Sequence, residues 1–255
     1  MDILKSSSAN ITIQEVKEEK TQNTDVPPVT THTSEEYIRR LALANSRACA
    51  TDPLNILFEN EKLPQPLGPG EVLSEERLRQ MIYESTVKRL TTKIANGAFL
   101  AEAGDFAAVA CWEPESIHDG EQAYTSARHA AVNSGRHLYA EFLKNSYAVR
   151  EAHLRPLAEK MSPDGKFWRL SLMARDPAAP HVKGAVRAVL APFVDKFTSA
   201  DAVGGPVPVW LEAGSGRSRV VYGHLGFREV GAWVVGGVPN WGMIHTGKPN
   251  SSLPE

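Results

Sequence analysis

The chain has 255 residues, 42% hydrophobic and 23% charged, the proportions of an ordinary globular protein long enough to bury a substantial core. Its formal charge of −2 offers no general field for nucleic acid or an anionic membrane, so an anionic ligand must be held by a local arrangement. No apolar run approaches the ~20 residues of a membrane span, the start MDILKSSSANITIQEV lacks a leader pattern, and two cysteines, Cys49 and Cys111, make neither a disulfide scaffold nor a metal-ligand spacing. The expectation is a cytoplasmic protein, the nucleus being the other compartment open to it, with reduced thiols and no metal.

In chain order, residues 1–10 read as a frayed tail, ITIQEV (11–16) alternates as a first strand, and KEEKTQNTDVPPVTTH (17–32) reads as a mobile connection laid over the surface. Thr33 and Glu36 are spaced as a capping box, so a helix is expected over about 34–50. KLPQPLGPGEV (62–72) breaks the chain. Ser74 then caps a helix whose Glu75 and Glu76 suit the positive end of its dipole, with Leu78, Met81, Ile82, Leu90 and Ile94 along one stripe. AFLAEAGDFAAVACWEPES (98–116) predicts two strands joined at Gly104–Asp105. Helical patterning follows over 134–157, a turn over 162–166, a strand over 167–174 and a helix over 184–199, where Pro192 removes the bond to Ala188 and predicts a kink. Strands over 207–213, 227–235 and 240–246 complete the order, with a short helix after the first of them. Such mixing argues an α/β or α+β protein with one mixed sheet.

Two stretches carry candidate chemistry. In LSLMARDPAAPHVKGAVRAVLAPF (170–193) a strand stops at Asp176–Pro177 and a helix begins near Gly184, with His181, Lys183 and Arg187 beside its mouth. The first N–H groups of a helix lack internal partners, so this arrangement suits an anion, although a plain connection fits the same residues. In the strand ending LEA, Val207, Val209 and Leu211 share one face and Trp210 and Glu212 the other. Ser215 caps the short helix, Val221 and Leu225 pair toward the core, and Tyr222 projects to one side of them. Taken alone, Tyr222 reads as an amphipathic aromatic at the core boundary.

Together the two stretches resemble the GNAT superfamily of N-acetyltransferases, convincingly over 98–246 and in element order alone before that. LEAGSGRSRVVYGHLGF is similar to the family's LE-A/T-x-x-x-N-x-P-F-Y-x-x-x-G-F signature, with Glu212, Tyr222, Gly226 and Phe227 in register, Ser218 in place of Asn and Val220 in place of Pro. HVKGAV falls on the Q/R-x-x-G-x-G/A pyrophosphate loop, with His181 for Gln/Arg, Gly184 matched and Val186 for Gly/Ala. Trp112-Glu113-Pro114, the helical insert and the WRLSLMA strand resemble the puromycin N-acetyltransferase-like branch and its fungal relatives.

The resemblance implies a GNAT fold, a mixed sheet of about 6–7 strands splayed at the cofactor site and flanked by helices. Residues 1–33 would be a tail with the first strand, and 34–250 a single domain, with 54–160 the acceptor-side insert and hairpin and 167–246 the acetyl-CoA-binding core. The implied activity is transfer of acetyl from acetyl-CoA to a primary amine of a small molecule, by direct attack in a ternary complex, in a monomer or homodimer. The alternatives are acetylation of protein lysines or N-termini, and a GNAT-fold binding protein without catalysis. Met173, Ala174 and Arg175 would offer backbone groups to the pantetheine arm. His181, Val182, Lys183, Gly184, Ala185, Val186 and Arg187 would wrap the diphosphate, with Ser218 beside it. Glu113, Glu212 or a water chain would take the amine proton, and Tyr222 would give one to the CoA sulfur. Val186 is the physical departure, a β-branched side chain where the family lets phosphates approach the backbone.

Overall fold

The computed structural model describes residues 26–65, 67–68 and 70–247, and its sheet grows outward from a long hairpin. Strands β2 (Phe99–Ala103) and β3 (Ala108–Ser116) are joined by three consecutive left-handed residues, Gly104, Asp105 and Phe106, with φ of 68°, 54° and 65°. Two of these are not glycine, so the turn is held from outside: the Glu102 carboxylate accepts the Phe106 N–H at 2.9 Å, and Arg40 pairs with Asp105 while stacking 4.0 Å over the Phe106 ring. With β1 (Val29–His32), β4 (Lys166–Arg175), β5 (Val209–Ala213), β6 (Arg228–Val235) and β7 (Val238–His245), the described residues form a seven-stranded sheet in the order β1-β2-β3-β4-β5-β7-β6. Every pairing is antiparallel except β4 with β5.

The helices are α1 (Glu35–Cys49), α2 (Pro53–Asn60), α3 (Glu75–Ala95), α4 (Ile117–Asn133), α5 (His137–Val149), α6 (Arg155–Met161), α7 (Ala185–Ala188), α8 (Ala191–Thr198) and α9 (Gly216–His224). A π-helical turn, Arg150–Leu154, joins α5 to α6. The period of two along each strand separates two apolar layers. Ala101, Trp112, Val209 and Leu211 meet α7, α8 and α9 on one face, while Leu100, Val109 and Cys111 meet α1 and α3 on the other. Farther along this second face, Phe167, Trp210 and Ile244 are covered by the π-helical turn and α6. Among the described residues no helix is long and apolar enough to cross a membrane.

Several expectations shift. The strand expected over 11–16 lies outside the described residues, and β1 falls inside the stretch expected to be a mobile connection. Ser34 rather than Thr33 caps α1, accepting the Tyr37 N–H at 3.3 Å. α2 and α4 are helices that periodicity did not reveal, and the pattern over 134–157 divides into α5, the π-helical turn and α6. The helix over 184–199 is two helices, broken at Val189–Leu190, with Pro192 in the first turn of α8.

Close packing beneath α5 gives a sharp expectation. A Cβ on Gly242 of β7 would overlap the Trp210 ring and lie 3.0 Å from Val149. Gly242→Ala must displace a fully buried indole, so we expect it to lower stability by about 1–3 kcal/mol. Urea unfolding checks this, as a lower midpoint at an unchanged slope.

Candidate active site

The parallel pairing of β4 with β5 covers only Trp168↔Val209, Arg169↔Trp210 and Leu170↔Leu211. Directly beyond it, the β3–β4 register skips a residue: Trp112 faces Leu170, but Cys111 faces Leu172. Ser171 is therefore an extra residue in β4, and a bulge of this kind bends its strand and re-aims the side chains that follow. Leu170 packs with α8, whereas Leu172 and Ala174 pack with α1 and α3. Met173, Ala174 and Arg175 stay paired with Ala110, Val109 and Ala108 of β3, and among the described residues their other edge has no strand partner. β5 meanwhile follows β7 as far as Ala213. The two parallel strands thus open into a cleft beyond Leu170 and Leu211.

Arg169 and Glu212 clamp the crotch of this cleft. The guanidinium meets the carboxylate through Nε at 3.3 Å and Nη2 at 3.1 and 3.2 Å, and Glu212 Oε1 also accepts from Ser146 Oγ at 2.7 Å and Trp210 Nε1 at 3.0 Å. Burial pushes the Glu212 carboxyl up, but the Arg169 charge, with Arg150 and these hydrogen bonds, outweighs it and holds the group below the usual range. Arg169 also reaches Glu115 at 3.3 Å, which pairs with Arg150 of the π-helical turn at 3.0 Å. Glu113 pairs with Lys93 of α3; burial raises its pKa, and the charges of Arg169 and Lys93 reverse the sign. Both candidate bases are therefore engaged carboxylates with lowered affinity for a proton.

On the α9 side, Ser215 and Ser218 form a reciprocal capping box, in which Ser218 Oγ donates to Ser215 O at 2.9 Å and accepts the Ser215 N–H at 3.2 Å. The Ser218 hydroxyl is thus committed to the helix start. Gly226, at φ 89°, closes α9, and the Phe227 N–H returns to Tyr222 O at 3.1 Å. Tyr222 is the one buried residue of α9 among those described, while Val221 and Leu225, expected to face the core, are half-buried. Among the described residues nothing hydrogen-bonds the Tyr222 hydroxyl. Burial pushes that phenol well above its usual range, and the nearby Cys49 thiol adds to the push. Cys49, on the last turn of α1, donates to Asn45 Oδ1 at 3.4 Å and is itself pushed up to about 12, chiefly by burial.

The loop after β4 is pinned at Asp176. Its N–H donates to Ala107 O at 3.0 Å, and its buried carboxylate accepts the Ala178 N–H and pairs with Arg47 of α1, each at 2.9 Å. Val182 presses on Gly104 so closely that a Cβ there would stand 3.0 Å from its methyls. Gly184 takes φ 80° at the mouth of α7, which favours glycine. Val186 packs onto the core, so its branched side chain turns away from any ligand over the loop. Ala185 is buried beside it, and His181, Lys183 and Arg187 are exposed. Because α7 has only four residues, little macrodipole reaches its mouth; an anion there depends on backbone N–H groups and the neighbouring cations. His224 is exposed, and His245 is a core-side ring 5.4 Å from Phe227, with Nδ1 accepting the Gly247 N–H at 3.0 Å.

Arg169, Ser171 and Cys49 were missed from sequence. An arginine inside the apolar run FWRLSLMA was the available signal for the first; the bulge and the nearness of Cys49 to Tyr222 left none.

No family model matches the chain, and no curated protein matches it in sequence. Solved structures do match. A variant of agmatine N-acetyltransferase in its apo form is 12% identical at a TM-score of 0.56, over 85% of this chain and 98% of its own. The polyamine N-acetyltransferase of Drosophila melanogaster, which forms N-acetylagmatine, is 12% identical at a TM-score of 0.56, over 85% and 99%. Arylalkylamine N-acetyltransferase 2 of Aedes aegypti is 14% identical at a TM-score of 0.56, over 85% and 98%. The chain has the fold of these N-acetyltransferases, the GNAT fold.

Proposed function

We propose that the protein is an acetyl-CoA-dependent N-acetyltransferase that acetylates a primary amine of a small molecule by direct attack in a ternary complex. The observation that carries this reading is the parting of the strands: the β4–β5 pairing stops at Leu170 and Leu211, next to the Ser171 bulge, and leaves Met173, Ala174 and Arg175 a free strand edge. The buried Tyr222 of α9, which follows β5, is read as the residue that faces this opening. The match to enzymes whose acceptors are agmatine, polyamines and arylalkylamines supports a small amine as the substrate class.

Acetyl-CoA would supply an activated acetyl thioester. The residues fit it: Met173, Ala174 and Arg175 have an unpaired edge for an extended arm, and the Gly184 turn with His181, Lys183 and Arg187 suits a diphosphate, with Val182, Ala185 and Val186 holding that turn on the sheet. Burial raises the Tyr222 pKa, so the phenol stays protonated at any working pH and its role is that of a hydrogen-bond donor to the departing sulfur; the same shift makes full proton transfer to a thiolate uphill. Glu212, with both oxygens occupied, positions Arg169 and the two strands rather than carrying protons. Glu113 remains a candidate base only if Lys93 releases it, so the amine proton leaves through water beside it. Cys49, held up to about 12, is a poor nucleophile, which favours direct attack over an acyl-enzyme.

A thermal shift with CoA, acetyl-CoA and an unrelated nucleotide tests the cofactor half. A ligand at about 100 times its Kd adds ~2.7 kcal/mol, a shift of several degrees. Thiol release on a panel of small amines tests the transfer. Absence of any shift at millimolar acetyl-CoA would overturn the reading.

A further inference from the structure

The exit of α9 is braced by a histidine, His245, the last residue of β7. Gly226 closes the helix, Phe227 returns its N–H to Tyr222 O, and the imidazole covers both. A Cβ on Gly226 would stand 2.9 Å from His245 Nε2, and the Phe227 ring meets the imidazole at 5.4 Å and Tyr222 at 6.0 Å. The imidazole is 9% exposed, and the backbone fixes its tautomer. Nδ1 accepts the Gly247 N–H at 3.0 Å, so the proton of the neutral ring sits on Nε2, against Gly226. A second proton has no place in this arrangement. It would turn Nδ1 into a donor facing the Gly247 N–H, and it would charge a ring that burial already holds below its usual range.

Room for a charged ring lies beside it. His245 lines a cavity of about 280 Å³ between α8 and the end of α9, with Leu190, Val194 and Leu225 as apolar walls and Arg187, Asp195 and His224 as its charged or titratable members. Asp195 forms no ion pair among the described residues, and its charge favours a proton on His245. Arg187 and a protonated His224 oppose one. From the strands, Val209 of β5 pairs with His245 in register and brings no charge, and Arg228 of β6, opposite Ile244, is exposed. The imidazole thus has two positions, one sealed and neutral, the other open and beside a carboxylate.

We infer that His245 is a proton switch for the end of α9: neutral, it locks Gly226 and Phe227 and with them Tyr222; protonated, it leaves Gly247, turns into the cavity toward Asp195 and frees the helix exit. The coupling to Tyr222 stands on the contacts above, and its effect on turnover rests on the acetyltransferase reading. Because the folded value is lowered, stability is complete above the unfolded pKa of ~6.5 and is lost as pH falls below it, where the unfolded chain takes up a proton that the sealed ring refuses.

Histidine and tyrosine ring resonances of the full chain, followed by NMR from pH 8 to pH 5, test the switch. His245 and Tyr222 are identified by the signals that vanish in His245→Asn and Tyr222→Phe. Asparagine still offers an oxygen to the Gly247 N–H and takes no proton. In wild type the Tyr222 signal should shift with the same midpoint as His245, below ~6.5, and in His245→Asn it should stay still. Asp195→Asn, at an exposed position, should lower both midpoints together, and this check holds even if asparagine is not tolerated at 245. The ratio of His245→Asn to wild-type kcat at saturating amine, in which protonation of the amine cancels, should rise by up to ~10-fold per pH unit below the midpoint, the limit for one proton. A Tyr222 signal indifferent to the His245 titration overturns the inference, as do a Tyr222 signal that still titrates in His245→Asn and midpoints that part company in Asp195→Asn. Coupled titration with a flat kcat ratio sustains the switch and instead defeats the role of Tyr222 in transfer.

Discussion

Tyr222→Phe is expected to lower turnover by roughly 100-fold while leaving KM for the amine within a few-fold of wild type. The substitution removes one oxygen and keeps the ring, so the packing of Tyr222 against Phe227, 6.0 Å away, is preserved. The hydroxyl has no hydrogen-bond partner among the described residues, so its loss leaves no buried group unmet and the fold should be nearly indifferent. What disappears is the hydrogen-bond donor to the departing sulfur, an interaction that matters only as the thiolate forms, which is why kcat falls and ground-state binding does not. The sign of the titration adds a second readout. Burial raises the phenol's pKa, so the neutral donor persists through the alkaline range, and wild-type activity should show no decline assignable to this group below about pH 10. Steady-state thiol release from pH 6 to 10 on both proteins measures both effects. An unchanged kcat at saturating amine would remove Tyr222 from the mechanism.

Much of this site could be read from the chain because its parts are local. A strand, a capped turn, a tyrosine at fixed spacing and a closing Gly-Phe lie within 20 residues, and each is dictated by short-range chemistry: Ser215 satisfies the first N–H groups, and Gly226 supplies the left-handed exit. Pro192 signalled an interruption for the same reason, although the chain breaks into two helices at Val189–Leu190 instead of kinking one helix. The side of α9 that faces the core was not, since Val221 and Leu225 are the more apolar residues and only the neighbouring strands decide that Tyr222 is buried. α4 escaped notice because its buried residues are just Ile117 and Ala131, too few to print a period on the sequence. α2 did leave a mark, an Asp-Pro start with Asp52 accepting the Asn55 N–H at 2.9 Å, but eight residues give periodicity little to work with. The roles of Glu113 and Glu212 were the least accessible. A carboxylate at a strand end is equally a base or an anchor until its partners are known, and Lys93, Arg150 and Arg169 come from distant elements.

Glu212→Ala should destabilise the protein by about 3–5 kcal/mol, because it strands the Arg169 guanidinium in the sheet with only the more distant Glu115 contact. The loss comes from a part-buried charge left with a weaker set of partners, Glu115 alone among its ion pairs, and not from the intrinsic strength of the pair, and this distinction makes it testable. Arg169→Met in the same chain as Glu212→Leu removes both charges at similar volume, and the double variant should recover most of the stability lost in Glu212→Ala, a coupling that a mutant cycle in urea resolves. Acid exposes the same linkage. The Glu212 carboxyl is lowered in the folded state, so its contribution is complete above the unfolded carboxylate pKa of ~4.3 and fades as pH falls through the lower folded value. Wild type should therefore lose more stability between pH 6 and pH 3 than the double variant, which no longer carries this proton linkage. The cleft gives the pair a second duty, since Arg169 follows directly on the first paired residue of β4 and Glu212 on the last paired residue of β5. With the clamp removed, the double variant should regain its fold but not its full affinity for acetyl-CoA, because nothing else at that point fixes the angle at which the two strands part. Recovery of stability together with unchanged acetyl-CoA binding would show that the bulge at Ser171 alone sets the cleft.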